Sequence, residues 1–214
     1  MSIIIHISGF AGVGKLTVAR ALTTRLHTIG DARLIDNHTI MNPAFALFPI
    51  GSPEWWRVVG EVRRAAYGAL VDLPPYTAVV ATNVLVVGSP SDEDVAAALR
   101  EAAAARGATL LAVTLTAEPD EHRRRLTDPS RGRYKLTDWD TALWMQARYD
   151  LMQPGGWAHL GIDTTALSPE ETAEAILAHP VVTAYALAVA SESTARTDAE
   201  PTAVVATVES MPTG

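Results

Sequence analysis

The chain has 214 residues, enough for one full-sized core, and 48% apolar with 19% charged residues suits an ordinary globular domain. A net charge of −7 argues against broad attachment to nucleic acid or to an anionic membrane. Cysteine is absent, which excludes disulfides and thiolate metal sites. No apolar run approaches bilayer-spanning length and no basic leader precedes the early isoleucines, so a cytoplasmic protein is expected.

The β-branched run Ile3-Ile4-Ile5-His6-Ile7-Ser8 predicts a buried strand. It leads directly into Gly9-Phe10-Ala11-Gly12-Val13-Gly14-Lys15-Leu16-Thr17. Three glycines let successive amides turn inward on a polyphosphate, and the helix that follows adds its positive end. Lys15, directly after the last glycine, reaches the β- and γ-phosphates as a mobile point charge. The pattern is that of a P-loop, and residues Gly9, Gly12, Val13, Gly14, Lys15, Leu16 and Thr17 are expected to bind nucleotide. A glycine-rich turn that binds nothing is the alternative. Context opposes it, because Leu16, Val18, Ala19, Leu22, Leu26 and Ile29 give an amphipathic helix that Gly30 stops. One departure stands out. Leu16 occupies the place where the motif has the Mg²⁺-binding Ser or Thr, and the hydroxyl comes one residue later at Thr17. A one-residue step turns a side chain by about 100° around a helix, so Thr17 is a metal candidate without inheriting the role.

Further strands are predicted at 33–36, 78–82, 109–116 and 159–163, alternating with helices, which is the signature of an α/β protein with a parallel sheet. Ser91-Asp92-Glu93-Asp94 caps a helix that Gly107 ends, and Ser168-Pro169-Glu170-Glu171 caps another with proline at its first position. Two segments break the alternation: residues 37–75, with a helical stretch at 54–71, and an arginine-rich segment followed by a helix at 138–151. Insertions at the carboxyl ends of parallel strands sit above the ligand crevice, so one can hold an acceptor and the other can close over phosphates. Arg123, Arg124, Arg125, Arg131, Arg133 and Lys135 crowd the second insertion of an acidic chain. They read as a local anion site, or else as a solvated helix face. Residues 1–180 are expected to form one domain, with the acceptor insertion at about 37–75 and the lid at about 123–138. Residues 181–214 read as a low-complexity tail, in which 181–190 can extend a helix and 191–214 are expected to be disordered.

These features resemble the small P-loop kinases of the nucleoside-monophosphate-kinase-like class, which includes shikimate, gluconate and chloramphenicol kinases, over about residues 1–180. More narrowly, Gly-Lys-Leu-Thr-Val-Ala in the loop, Ile35-Asp36-Asn37-His38, Asn42-Pro43-Ala44-Phe45, Thr82-Asn83-Val84-Leu85 and Lys135-Leu136-Thr137-Asp138 look like a bacterial branch labelled only as AAA-family or kinase-like ATP-binding proteins. The resemblance implies a P-loop NTPase fold: a five-stranded parallel sheet in order 2-3-1-4-5 with helices on both faces, an acceptor insertion and an arginine-rich lid. It also implies ATP and Mg²⁺ as cofactors and transfer of the γ-phosphoryl group to a small-molecule hydroxyl. A nucleotide-binding ATPase or switch without an acceptor is the alternative, favoured by Leu16 and by the lack of an acidic residue near Thr82.

Residue by residue, Asp36 matches the aspartate at the end of the second strand that takes the acceptor proton or binds Mg²⁺ through water, and Asn37 and His38 follow it as acceptor contacts. The same three residues can instead be a polar turn that caps the next helix. Thr82 and Asn83 are candidate acceptor contacts or ordinary strand-end hydrogen-bonding groups. Within residues 118–125, Arg124 and Arg125 match arginines that stack on adenine or clamp phosphate, with Arg131 and Arg133 as lid candidates. Lys15, Asp36, Arg125 and Arg131 are thus the catalytic set the resemblance implies. Asp163 and Thr165 resemble the segment that borders the adenine, or form a simple turn. Trp55 and Trp56 open the insertion helix that also carries Arg57, another acceptor-contact candidate; adjacent residues cannot share a helix face, so one tryptophan packs inward.

Overall fold

The structure, a computed structural model, describes residues 1–132 and 134–199. Strand β1 (Ser2–Ser8) is buried at every position, as its run of isoleucines requires, and it lies at the centre of the sheet. The P-loop joins it to α1 (Lys15–Leu26). Next come β2 (Ala32–Asp36), α2 (Asn37–Leu47), α3 (Pro53–Gly68) and a single 3₁₀ turn at Ala69–Asp72. The chain continues through β3 (Ala78–Thr82), α4 (Pro90–Arg106), β4 (Ala108–Thr116) and α5 (Pro119–Leu126). It closes with α6 (Trp139–Arg148), β5 (Ala158–Asp163), α7 (Pro169–Leu177) and α8 (Pro180–Ala199).

All strand pairs are parallel and the order is β2-β3-β1-β4-β5, as the resemblance implied. Side chains alternate across β1, so it feeds two cores. Ile3, Ile5 and Ile7 pack with α1, α7 and α8, whereas Ile4 packs with α2, α3 and α4. The predicted caps form: Ser168 and Glu171 make a reciprocal capping box, and Gly107 ends α4 in the left-handed region at φ 58°. Arg106, at the end of α4, ties together the amino-terminal end of the central strands by donating to Ser2 Oγ and to the carbonyls of Leu70 and Thr77.

Two expectations change. Residues 37–47 form a helix of their own, although Pro43 lies inside it, because the Asp36 carboxylate accepts hydrogen bonds from the His38 amide at 2.8 Å and the Thr39 hydroxyl at 2.7 Å. The second correction concerns the C-terminal segment. The core does not end at residue 180: Val182 and Tyr185 are fully enclosed, and the Tyr185 hydroxyl donates to the Tyr76 carbonyl at 2.6 Å. Helix α8 then runs to Ala199, through the first part of the segment expected to be disordered. Its weak amphipathic period reflects a short seam on the core, with Val182, Tyr185 and Val189 at helical spacing. The remainder of that segment, residues 200–214, lies outside the described residues. Among the described residues no single helix is long and apolar enough to cross a membrane.

Candidate active site

The phosphate loop spans the turn from β1 to α1. Gly14 takes φ 94° as the residue before α1, with no side-chain cap on the helix and no neighbour within 4 Å of a Cβ built there. The first amides of α1 therefore lie open to a ligand, which is what an anion site needs. Gly12, at φ 99°, leaves no room for a side chain, since a Cβ would lie 3.0 Å from the His122 ring and from Leu126. Lys15 turns its amine back on the loop and donates to the carbonyls of Gly9 at 2.6 Å and Phe10 at 2.9 Å. Burial of that amine, reinforced by the charges of Arg131 and Lys135, pushes its pKa down from 10.5 to about 7.

Two cavities flank the loop and share Gly14 and Thr17 as a common wall. The larger, of about 470 Å³, lies between α1, α5 and the turn after β5, and is lined by Val13, Arg124, Arg125, Thr164 and Thr165. The smaller, of about 230 Å³, is enclosed by the loop, the ends of β2 and β3, and the lid. Lys15 and Leu16 form its floor. Asp36, Asn37 and His38 enter from the second strand and α2, Thr82 and Asn83 from β3, and Arg131, Tyr134 and Lys135 from the lid. Register explains part of this convergence, because Asp36 pairs with Thr82, which in turn pairs with Ile7 directly before the loop.

Each group in the smaller cavity has a definable state. Asp36 is both the cap of α2 and a wall of the cavity, so the two readings of it describe one residue. Burial lowers the pKa of His38; Asp36 opposes that while Lys135, Lys15 and Arg131 add to it. The imidazole is therefore neutral at pH 7. Asn83 accepts from the Val84 amide at 2.7 Å through Oδ1, while its buried Nδ2 has no partner among the described residues. Arg131 donates to the Leu136 carbonyl at 3.1 Å, and its buried Nε likewise has none among them. The lid is latched to the insertion, for Tyr134, at φ 69°, stacks on Phe45 with ring centroids 4.6 Å apart and planes 8° from parallel.

The other expected site residues divide between the larger cavity and the surface. Arg125 lines the larger cavity. Its guanidinium donates to the Thr164 hydroxyl at 2.8 Å, to the Thr164 carbonyl at 2.7 Å and to Glu121, so it holds the turn after β5. Arg124 forks onto Glu121 at the rim of the larger cavity, and the two arginines hold the Glu121 pKa down to about 2. Arg57 lies outside both cavities, paired on the surface with Glu61 at 2.8 Å. Asp163 likewise lines neither; it accepts from the amide and hydroxyl of Thr165. Trp55 packs inward and Trp56 stays half exposed, as adjacency required. Arg133 lies outside the described residues. Sequence reasoning passed over Tyr134 and Met41, which carry no motif, and gave no site role to Lys135, which lines the smaller cavity.

The strand order and the glycine-rich turn between β1 and α1 together are those of the P-loop α/β fold. No protein family and no curated protein sequence matches the chain. Solved structures do. A sugar kinase from Janibacter sp. HTCC2649 is similar at TM-score 0.57 and 14% identity, over 88% of this chain and 98% of that one. The tunicamycin resistance protein of Deinococcus radiodurans gives TM-score 0.52 and 22% identity, over 83% and 95%. Shikimate kinase from Bacteroides thetaiotaomicron gives 0.52 and 19%, over 82% and 96%. Likeness at such identities establishes a shared fold, that of the small P-loop kinases.

Proposed function

We propose that this protein is an ATP-dependent phosphotransferase that moves the γ-phosphoryl group to a hydroxyl of a small molecule, in the cytoplasm. The observation that carries this reading is the pair of cavities with Gly14 and Thr17 between them. A nucleotide whose base lies in the larger cavity and whose phosphates cross the start of α1 presents its terminal phosphoryl group to the smaller one. A hydrolase that acts on water has no use for a second, polar, lid-covered cavity.

The acceptor oxygen attacks the γ-phosphorus, an O–P bond forms, and the bond to the β,γ-bridging oxygen breaks with its electron pair leaving on ADP. Asp36 takes the hydroxyl proton, and His38, neutral and two residues away, is the other base within the same wall. Lys15, Arg131 and Lys135 stabilise the charge that develops on the phosphoryl oxygens. Arg125 acts at one remove, by fixing the turn against which the nucleotide base rests. Among the described residues no cluster of three His, Asp or Glu could cage a metal. The chain therefore fits Mg²⁺ only as a largely hydrated ion brought by the nucleotide, with Thr17 or Asp36 as its one protein ligand. Bound there, it would neutralise charge on the phosphates.

Incubation with ATP or GTP, Mg²⁺ and a panel of hydroxylated metabolites and antibiotics, followed by mass detection of products heavier by one phosphoryl group, tests the reading. A phosphorylated product supports it. Release of free phosphate alone, at a rate indifferent to every acceptor, replaces it with the ATPase or switch.

A further inference from the structure

His122 lies on α5, the stem that leads into the lid, and is 3% exposed. Its Nε2 lies 2.6 Å from the carbonyl oxygen of Ala11, in the phosphate loop. A carbonyl only accepts, so Nε2 carries the hydrogen and donates it. The same ring meets Trp139 edge-on, with centroids 5.4 Å apart and planes at 85°. Trp139 is the first residue of α6, the stem by which the chain leaves the lid. One buried imidazole thus touches the phosphate loop and both stems of the lid. The left-handed Gly12 is what lets it approach, because any Cβ there would lie 3.0 Å from the ring.

The hydrogen bond has a directional consequence. In a planar trans peptide the C=O and the N–H point to opposite sides, and the described residues contain no cis bond. Anchoring the Ala11 carbonyl on α5 therefore turns the Gly12 N–H away from α5, to the side on which Gly12, Gly14 and Lys15 line the smaller cavity. A nest of amides binds an anion only while its N–H groups face inward. If that peptide flips, a carbonyl oxygen faces the phosphates in place of a donor.

We propose that His122 is a positioning residue of the phosphate loop: its ring N–H holds the Ala11–Gly12 peptide in the anion-binding orientation, and Trp139 braces the ring so that the lid stems and the loop move together. The proposal rests on the nucleotide-binding reading of the loop and adds to it a residue outside the P-loop motif.

The experiment measures the affinity of the full chain for a non-hydrolysable ATP analogue with Mg²⁺, alongside the melting temperature. His122→Phe keeps a ring against Trp139 and removes the donor, whereas His122→Gln returns an N–H donor of similar reach. Loss of one such hydrogen bond predicts affinity weaker by about ten- to thirtyfold in His122→Phe, with recovery to within about threefold in His122→Gln. In turnover, His122→Phe should raise the KM for ATP and leave that for the acceptor unchanged. Binding by His122→Phe within twofold of wild type overturns the proposal alone. So does an equal loss of affinity and of melting temperature in both variants, the mark of a purely structural role. Failure of the wild-type chain to bind the analogue overturns the nucleotide reading and this proposal with it. If His122→Phe does not fold, Trp139→Leu keeps the question decidable, because it leaves the donor but unbraces the ring. A loss of about three- to tenfold there supports the proposal, and unchanged binding overturns it.

Discussion

Lys15 should make the stability of the ligand-free protein depend on pH in an unusual direction. Its amine sits among loop carbonyls with a pKa near 7, where an ordinary lysine has 10.5, because of burial first and Arg131 and Lys135 second. Well below pH 7 the folded and unfolded chains both hold the proton. Between about pH 7 and pH 10 the unfolded chain keeps it while the folded chain has released it, so unfolding takes up a proton and raising the pH favours the fold. With about 1.4 kcal/mol per pKa unit, and half the amines already neutral at pH 7, the gain from pH 7 to pH 9 is about 2 kcal/mol. Urea unfolding of wild type and Lys15→Met at both pH values isolates this contribution, since methionine fills the space without titrating. Wild type should gain about 2 kcal/mol more than the variant, whatever the absolute stabilities. Identical pH responses would refute the placement of the amine. A bound polyphosphate reverses the bias, because an anion recharges the lysine, so analogue binding at pH 8 should take up most of one proton in calorimetry across buffers of different ionisation heat.

Asp36→Asn keeps an oxygen to cap α2 and removes the charge, so analogue affinity should stay near wild type while the transfer rate falls by about two to four powers of ten; a full rate would move the base to His38. Tyr134→Ala removes the stack on Phe45 that latches the lid, and should raise the acceptor KM by about three- to tenfold and the ATP consumed per product formed. An unchanged ratio of ATP consumed to product would mean that the lid is held by other contacts. Tyr185→Ala should cost about 3–5 kcal/mol in urea unfolding, and a negligible cost would detach α8 from the core.

The strands were legible because β-branched runs such as residues 3–5 and 79–80 must be buried on both faces, and helix boundaries were legible where a cap has its own chemistry, as at Ser168 and Gly107. Helix α2 was not, because Pro43 argues against a helix and the decisive contribution, the double acceptance at Asp36, depends on three-dimensional geometry. Helix α8 hid for a different reason: a helix in which, among the described residues, only Val182 and Tyr185 are deeply buried shows almost no period. At the site, the loop is a local motif and could be read directly. Arg124 and Arg125 were legible as site candidates and line the larger cavity, but their bonds to Glu121 and the Thr164 carbonyl were not, since a guanidinium reads the same in sequence whatever it faces. Tyr134 acquires meaning only when the lid and β3 are brought to one cavity, whereas Thr82 and Asn83 could be read from their place at the end of a strand.

The common wall at Gly14 and Thr17 also bears on inhibition. Two recesses separated by a single turn of backbone can be filled by one covalently joined molecule, a purine at one end and a hydroxylated head at the other, with a short chain of phosphates between them. Joining the halves converts the second contact into an intramolecular event at an effective concentration in the millimolar range or above, so avidity can exceed either half alone by about 10²–10⁴. The gain peaks when the linker matches the span across the start of α1 and vanishes when it is too short. On the proposed two-ligand reading, a series of such conjugates graded by linker length would act as a ruler, measuring in solution the span between the two recesses.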